Sequence, residues 1–410
     1  MRTAGVWRLD PTVTFLNHGS FGACPEPVIT SQAAWRDRIE ADPVRFFSRE
    51  LEGHLDAARR TLGGFLGGDP EGIAFVPNAT SAVSTVLGSL RFAPGDELLT
   101  TDHEYNATIN ALAAAARRDG ARVVIARVPF PVAGAGDVVE AVLAAVTDRT
   151  RLALISHVTS PTALVVPITE IVRELERRGV DTLVDAAHAP GMVPVEIDSL
   201  GAAYWTGNGH KWLCGPKGSA ILWVRADRRA AIHPLVVSHG ANDPRPDAGG
   251  RSRFRLEFDW PGTVDPTPYL AAADAVSLVA DLAPNGAGWA GIAAANHELA
   301  VEGRRRLVDA LGLEVSAPET LLGSMATIEL PLPPSDESAM GLNLALAEED
   351  GIEVPVGAWP VLAARASDGP RSTLLRISAQ LYNEPTDYDA LADALVARLS
   401  PLTEGPPRRR

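Results

Sequence analysis

Lysine is almost absent from this chain. Among 37 lysines and arginines only Lys211 and Lys217 are lysine, and arginine serves at the other 35 positions. A GC-rich genome that exchanges lysine for arginine would leave two such survivors by chance. The chemical alternative starts from where they lie, because both fall in one run, Gly207-Asn-Gly-His-Lys-Trp-Leu-Cys-Gly-Pro-Lys-Gly218. An amine can lose its proton and form a Schiff base with a carbonyl, which a guanidinium cannot do. Amine chemistry is therefore expected in that run.

Cysteine is equally scarce. Cys24 and Cys214 give no disulfide framework, which fits a reducing cytoplasm. No apolar run approaches the ~18 residues of a membrane span. The opening Met1-Arg-Thr-Ala-Gly-Val-Trp-Arg-Leu-Asp10 lacks the apolar stretch of a signal peptide. A cytoplasmic protein with no membrane partner is expected. The net charge of −14, with no basic cluster interleaved with aromatics, argues against a nucleic-acid surface. No metal site is expected.

What is present is an ordinary globular composition, 46% apolar and 21% charged. At 410 residues the chain exceeds what one core usually serves, so two domains are expected. Short β-rich runs are read at residues 73–76, 97–100, 122–128, 152–157, 182–185, 202–206 and 219–224. Helical stretches lie between several of them, at 108–118, 137–146 and 168–178, and two more precede the sheet, at 26–42 and 51–66. This alternation predicts an α/β protein with a mostly parallel seven-stranded sheet between helices. Beyond residue 224 come an exposed loop at 241–252, helices from 269 and at 288–311, and strands near 325–330 and 374–378. The expected division is a segment 1–25 near the active site, a large domain 26–265, a smaller α+β domain 266–404 and a tail 405–410.

Four features stand at the carboxyl ends of these strands, where open α/β sheets bind ligands. Val184-Asp-Ala-Ala-His-Ala189 closes one strand. An aspartate there can hold a pyridinium nitrogen protonated, as pyridoxal phosphate requires, and His188 can donate to the phenolate oxygen; a plain helix cap is the other reading of Asp185. In Val76-Pro-Asn-Ala-Thr-Ser81 a strand runs into a helix, where the amides of Ala79, Thr80 and Ser81 and the Thr80 hydroxyl make a phosphate site. The third is His210-Lys211 in its glycine-flanked run. The fourth, Asp102-His-Glu-Tyr-Asn106, offers His103 or Tyr105 to lie over a planar cofactor.

The order Thr80, His103/Tyr105, Asp185-x-x-His188, His210-Lys211 resembles class V, fold-type I pyridoxal-phosphate enzymes over nearly the whole chain. Phe15-Leu-Asn-His-Gly-Ser-Phe-Gly22 resembles the isopenicillin-N epimerase-like branch. So do Asp102-His-Glu-Tyr-Asn-Ala107, Ser156-His-Val-Thr-Ser-Pro-Thr-Ala163, Asn208-Gly-His-Lys-Trp212 and Trp260-Pro-Gly-Thr-Val-Asp-Pro266. The resemblance implies that Lys211 carries the internal aldimine, that Asp185 partners the pyridinium, and that Thr80 and His210 hold phosphate. It implies that Gly262 and Thr263 reach the phosphate of a neighbouring subunit's cofactor, hence a homodimer with shared sites. Arg376, in Leu374-Leu-Arg-Ile-Ser-Ala379, matches the arginine that takes the substrate α-carboxylate. Lys217 is read as structural.

Departures narrow the reaction. The mobile cysteine of cysteine desulfurases is missing, since no cysteine follows Cys214, which is read as packing. Ser160 stands where many class V members carry asparagine, and Asn208 where a serine often helps to bind phosphate. With Lys211 as base, loss of the Cα proton leads through a quinonoid to several outcomes. Epimerisation needs a second acid such as His103, Tyr105 or His18; loss of a β-thiol gives C–S lysis of cysteine conjugates. Decarboxylating or oxidative deamination and transamination are the alternatives, in natural-product or thiol-conjugate metabolism. A non-catalytic cofactor-binding regulator is the competing class, although no DNA-binding module is attached. For an amino-acid substrate, Arg376 anchors the carboxylate, Asn17 and His18 edge the pocket, and Arg253, with Arg251, Arg255 and Arg45, would take a distal anionic group or would offset local acids.

Overall fold

The computed structural model describes residues 5–248, 250–364 and 371–403, and the expected tail 405–410 lies outside them. Twelve strands occur in chain order: β1 (Thr14–Phe15), β2 (Ile73–Val76), β3 (Glu97–Thr101), β4 (Arg122–Ala126), β5 (Thr150–Ser156), β6 (Asp181–Asp185), β7 (Tyr204–Asn208), β8 (Ala220–Val224), β9 (Met325–Leu330), β10 (Ile352–Glu353), β11 (Val356–Trp359) and β12 (Ser372–Ser378). Seven form one sheet in the order β2-β8-β7-β6-β5-β3-β4. All its neighbouring pairs are parallel except those of β8, which runs antiparallel to both β7 and β2. The expected α/β architecture is present.

Alternation along these strands builds two cores. Ile73, Phe75, Ala153, Ile155, Ile221 and Trp223 face one, while Ala74, Val76, Leu152, Leu154, Leu222 and Val224 face the other. Successive side chains of a strand point to opposite faces, so a strand covered on both sides must be apolar at every position. β4, at the edge, is exposed at Arg122 and half-buried from Val123 to Ile125. Helix Asn106–Asp119 stops at Gly120, whose φ of 72° is left-handed, with Arg117 and Arg118 in the last turn favouring its negative end.

A second sheet, β11-β12-β9, is antiparallel. It shares a third core with helices Gly288–Leu311, Asp336–Glu348 and Pro385–Thr403, and Leu16 from the N-terminal segment enters that core. The segment is pinned there by β1, which pairs with β10 in parallel. Residues 266–404 divide between cores: helix Thr267–Ala280 packs on Glu26–Ala41 and Leu51–Leu66 through Leu270, Ala271 and Ala275.

Several elements differ from expectation. The strand read at 202–206 lies at Tyr204–Asn208, which puts Asn208 at the strand end, three residues before Lys211. Helix Arg253–Asp259 follows the loop at 241–252, where charged residues mask its apolar face of Phe254, Leu256 and Phe258. β1, β10 and β11 are too short for periodicity to show them. Among the described residues no helix is long and apolar enough to cross a membrane.

Candidate active site

A cavity of about 350 Å³ opens at the carboxyl ends of β2, β5, β6 and β7, lined by Thr80, Tyr105, Ser156, Asp185, His188 and Lys211 among others. The N-terminal segment closes one side through Gly19, Ser20 and Phe21. Its approach is tight. A Cβ on Gly22 would stand 2.6 Å from the Lys211 carbonyl oxygen, so only glycine fits there. Lys217 Nζ donates to the Gly22 carbonyl at 2.6 Å, which ties the segment down and gives this lysine the expected structural role.

Lys211 Nζ lies 3.1 Å from His188 Nε2. Trp212 Nε1 donates to His188 Nδ1 at 3.3 Å. An indole can only donate, so Nδ1 is an acceptor, the imidazole proton sits on Nε2, and Nε2–H donates to Lys211 Nζ as a free amine. Burial supports that state. It pulls Lys211 down to about 7, helped by the charge of Arg376 and opposed by Asp185. Burial likewise holds His188 well below its usual range, reinforced by Lys211 and Arg376.

Asp185 ends β6, almost wholly buried, with Oδ1 accepting from Ala187 N–H at 3.0 Å. Burial raises its carboxyl, while the Ala187 N–H and Lys211 favour the charged form. No cation pairs with it among the described residues, and it faces the cavity. A buried carboxylate aimed into a cavity suits a cationic ring nitrogen.

At the start of helix Ala79–Ser89, Asn78 caps Ser81 N–H at 2.8 Å and Asn208 Oδ1 takes Ala79 N–H at 2.9 Å. Of the three amides expected for phosphate, Ala79 and Ser81 thus have partners within the chain. Thr80, amide and hydroxyl, is the member left facing the cavity. The caps of Asn78 and Asn208 explain the difference, since each side chain satisfies an orphan helix donor. His210 Nδ1–H donates to the Ser219 carbonyl at 3.0 Å while the ring lines the cavity, and burial lowers it to about 4.

Arg376, on β12, is 7% exposed. Its Nη1 donates to Ser160 O at 2.6 Å and Ser160 Oγ at 3.0 Å, and Nη2 to Ser20 Oγ at 2.8 Å. Asn17 Oδ1 stands 3.5 Å from Nη2. Arg376 Nε has no partner, and no carboxylate is in ion-pair reach among the described residues. Burial lowers the guanidinium to about 10. Ser160 holds this arginine and lines the cavity.

Several expected residues do not line the cavity. His103 is turned away: Nδ1 meets Thr162 Oγ1 at 2.7 Å, Nε2 meets Val128 O at 3.2 Å, and the ring packs edge-on against Trp359. Tyr105, not His103, lines the cavity. His18 lies behind Lys211, with Nε2 donating to the Lys211 carbonyl at 3.1 Å and Nδ1 accepting from Tyr382 Oη at 2.9 Å, so neither nitrogen is free for a substrate. Arg253 donates to the Gly240 carbonyl, while Arg251 and Arg255 pair with Asp56, Asp259 and Glu71, and Arg45 pairs with Glu50. Arg251, Arg255 and Arg45 thus pair with local acids, and none of the four arginines lines this cavity. Gly262 lines a separate small depression and Thr263 is exposed. Sequence reasoning missed Ser20, Ser156 and Glu104; the first two sat inside quoted motifs as small polar residues, and Glu104 beside His103.

The class-V aminotransferase model matches residues 24–391. Isopenicillin N epimerase of Amycolatopsis lactamdurans is 38% identical over 94% of this chain and 95% of its own. Putative L-cysteine desulfhydrase 1 of Oryza sativa subsp. japonica is 33% identical over 93% of this chain and 82% of its own. In structure, the cystine C–S lyase C-DES, solved with its reaction product cysteine persulfide, superposes with a TM-score of 0.77 at 21% identity, covering 94% of this chain and 97% of that one. With a family model spanning nearly the whole chain and full-length relatives above 30% identity, this protein belongs to the class-V aminotransferase family.

Proposed function

We propose that this enzyme catalyses β-elimination of a thiol from a cysteine-type amino acid, releasing thiol, pyruvate and ammonium with uptake of one water. The cofactor is pyridoxal 5′-phosphate, which when bound supplies an electron sink for the charge left at the substrate Cα. One observation carries the amino-acid substrate: Arg376 is a buried guanidinium with no carboxylate partner among the described residues, near enough to Lys211 for its charge to disfavour the ammonium. A substrate α-carboxylate completes it as a bidentate pair. Lys211 would hold the cofactor through its amine and serve as base for the substrate Cα proton. Asp185 would hold a proton on the ring nitrogen, His188 would donate to the ring oxygen, Thr80 and His210 would take phosphate, and Tyr105 would flank the ring.

Elimination over epimerisation is supported by the groups at hand. Elimination needs one base and a leaving group, whereas inversion at Cα needs a second acid on the opposite face. Of the three residues considered for that acid, His103 and His18 point elsewhere. Epimerisation remains the second reading because Tyr105 does face the cavity and a 38% identical relative is named an epimerase. We further propose a homodimer with shared sites, a cytoplasmic location consistent with two free cysteines, and a cofactor-holding unit of 26–265 with a smaller unit of 266–404 whose first helix, Thr267–Ala280, packs back on the larger one. The reaction is tested with L-cysteine and cysteine thioether conjugates in deuterium oxide. Pyruvate and thiol forming together support elimination. Deuterium entering Cα of inverted, otherwise intact substrate, with no pyruvate, would assign epimerisation instead.

A further inference from the structure

Glu104 is a buried acid that none of these roles uses. It is 0% exposed, and among the described residues no lysine or arginine pairs with it. Oε1 accepts from Ser156 N–H at 2.7 Å and from Thr101 Oγ1 at 3.3 Å. Oε2 meets only Ser156 Oγ, at 2.5 Å. Ser156 in turn lines the cavity and is the Cα partner of Asp185 across the parallel β5–β6 pair. Neighbouring strands stand about 4.8 Å apart, so two carboxyl groups and one hydroxyl share a small dry volume.

The remaining groups around Glu104 offer it no positive charge. Asp185 faces it from β6. His103, on its own turn, and His157, after Ser156, are both held neutral by burial. Asp102 is turned to Val128 N–H at 3.0 Å and to Arg127 at 3.4 Å. Two unpaired carboxylates in such a place do not both stay ionised. Asp185 has Lys211 and the cavity before it; Glu104 has only neutral donors.

We propose that Glu104 is a positioning residue for Asp185 that works as a neutral acid, donating an Oε2 proton to Ser156 Oγ and so turning the Ser156 hydroxyl hydrogen into the cavity beside Asp185. This rests on Asp185 as the ring-nitrogen partner. The neutral form leaves Asp185 as the one negative charge at that end of the cavity, and the Ser156 hydroxyl steadies it. When Glu104 ionises, the hydroxyl turns back to Oε2 and a second negative charge appears. Burial and the charge of Asp185 raise Glu104 to about 8, against the donation from Ser156.

Infrared spectra of the full-length holoenzyme at pH 7, wild type minus Glu104→Gln, test the proton directly. The expected result is a carbonyl band of a protonated carboxylic acid that vanishes as pH rises through about 8. The amide of Glu104→Gln can donate to Ser156 as the neutral acid does, so its visible cofactor absorbance at pH 7 should match wild type and lose the component of the pH titration near 8. Glu104→Ala and Ser156→Ala should both alter the pH 7 spectrum. An absent acid band at pH 7, or a Glu104→Gln spectrum displaced as far as that of Glu104→Ala, overturns the proposal. Asp185→Asn separates the underlying reading: an unchanged cofactor spectrum there would remove Asp185 as the ring partner while the acid band still reported on Glu104.

Discussion

Neighbours acting in different ways make Lys211 easier to deprotonate than an ordinary lysine. Burial disfavours the ammonium, the Arg376 charge repels it, and the Trp212–His188 pair presents a donor where an ammonium would need an acceptor. Only the neutral amine attacks the cofactor aldehyde, so the rate of cofactor uptake by the apoenzyme should rise with pH through about 7. Removing the Arg376 charge with Arg376→Met should move that midpoint upward, because a repelling cation is lost. Stopped-flow absorbance during cofactor addition measures both midpoints, and an unmoved midpoint in the variant would show that burial alone sets the amine. At this scale the sequence was most legible where chemistry demands a residue type. The lone pair of lysines and Asp185-x-x-His188 marked the site. His103 and His18 misled because a histidine's ring direction depends on partners such as Thr162, Val128 and Tyr382, far away in sequence and carrying no local pattern.

Elements place these side chains, and their own anchoring is partly ionic. Helices Leu51–Leu66 and Arg253–Asp259 are joined by Arg59 with Asp259, Arg251 with Asp56 at 2.7 Å, and Arg255 with Asp56 and Glu71. The Arg59 and Asp259 side chains are 2% and 5% exposed. Asp259→Ala should therefore cost about 2–3 kcal/mol, because it takes the nearest carboxylate from a buried guanidinium and leaves it Asp56 at 3.3 Å and the Ile73 carbonyl at 2.9 Å. Glu26→Ala, which breaks an exposed, solvent-screened pair with Arg8, should cost far less. Denaturant unfolding of the two variants compares them, and equal small losses would mean that the helix is held by Phe254, Leu256 and Phe258 alone. Helix Arg253–Asp259 was hidden for the same reason that it is held this way. Its arginines read as a cluster for a distal anionic group or for local acids, while the acid they meet, Asp56, lies about 200 residues upstream. The strands of the large sheet were readable because both faces are buried and short apolar runs such as Ile73–Val76 and Ala220–Val224 result. Their ends shifted by one or two residues, which matters at β7, where the strand end sets the reach of Asn208 and Lys211.

At the scale of the molecule, the loop Trp260–Asp265 follows that anchored helix and contributes no residue to the lining of its own chain's cavity, with Val264 46% exposed and Thr263 on the surface. An apolar residue presented on a firmly tethered loop suits contact with a second copy, and the proposed role of Gly262 and Thr263 requires one. Symmetry makes the idea testable by complementation. A chain carrying Lys211→Ala has no amine but keeps an intact loop. A chain carrying Thr263→Asp keeps its amine but sets a carboxylate against the phosphate of its partner's cofactor. In a mixed dimer, the amine-bearing site receives the intact loop, and the other site collects both defects. Refolding the two variants together at equal amounts should then recover about a quarter of wild-type activity, since half the dimers are mixed and each has one sound site. Activity no higher than the sum of the separately refolded variants would mean that the loop serves its own chain or no cofactor at all.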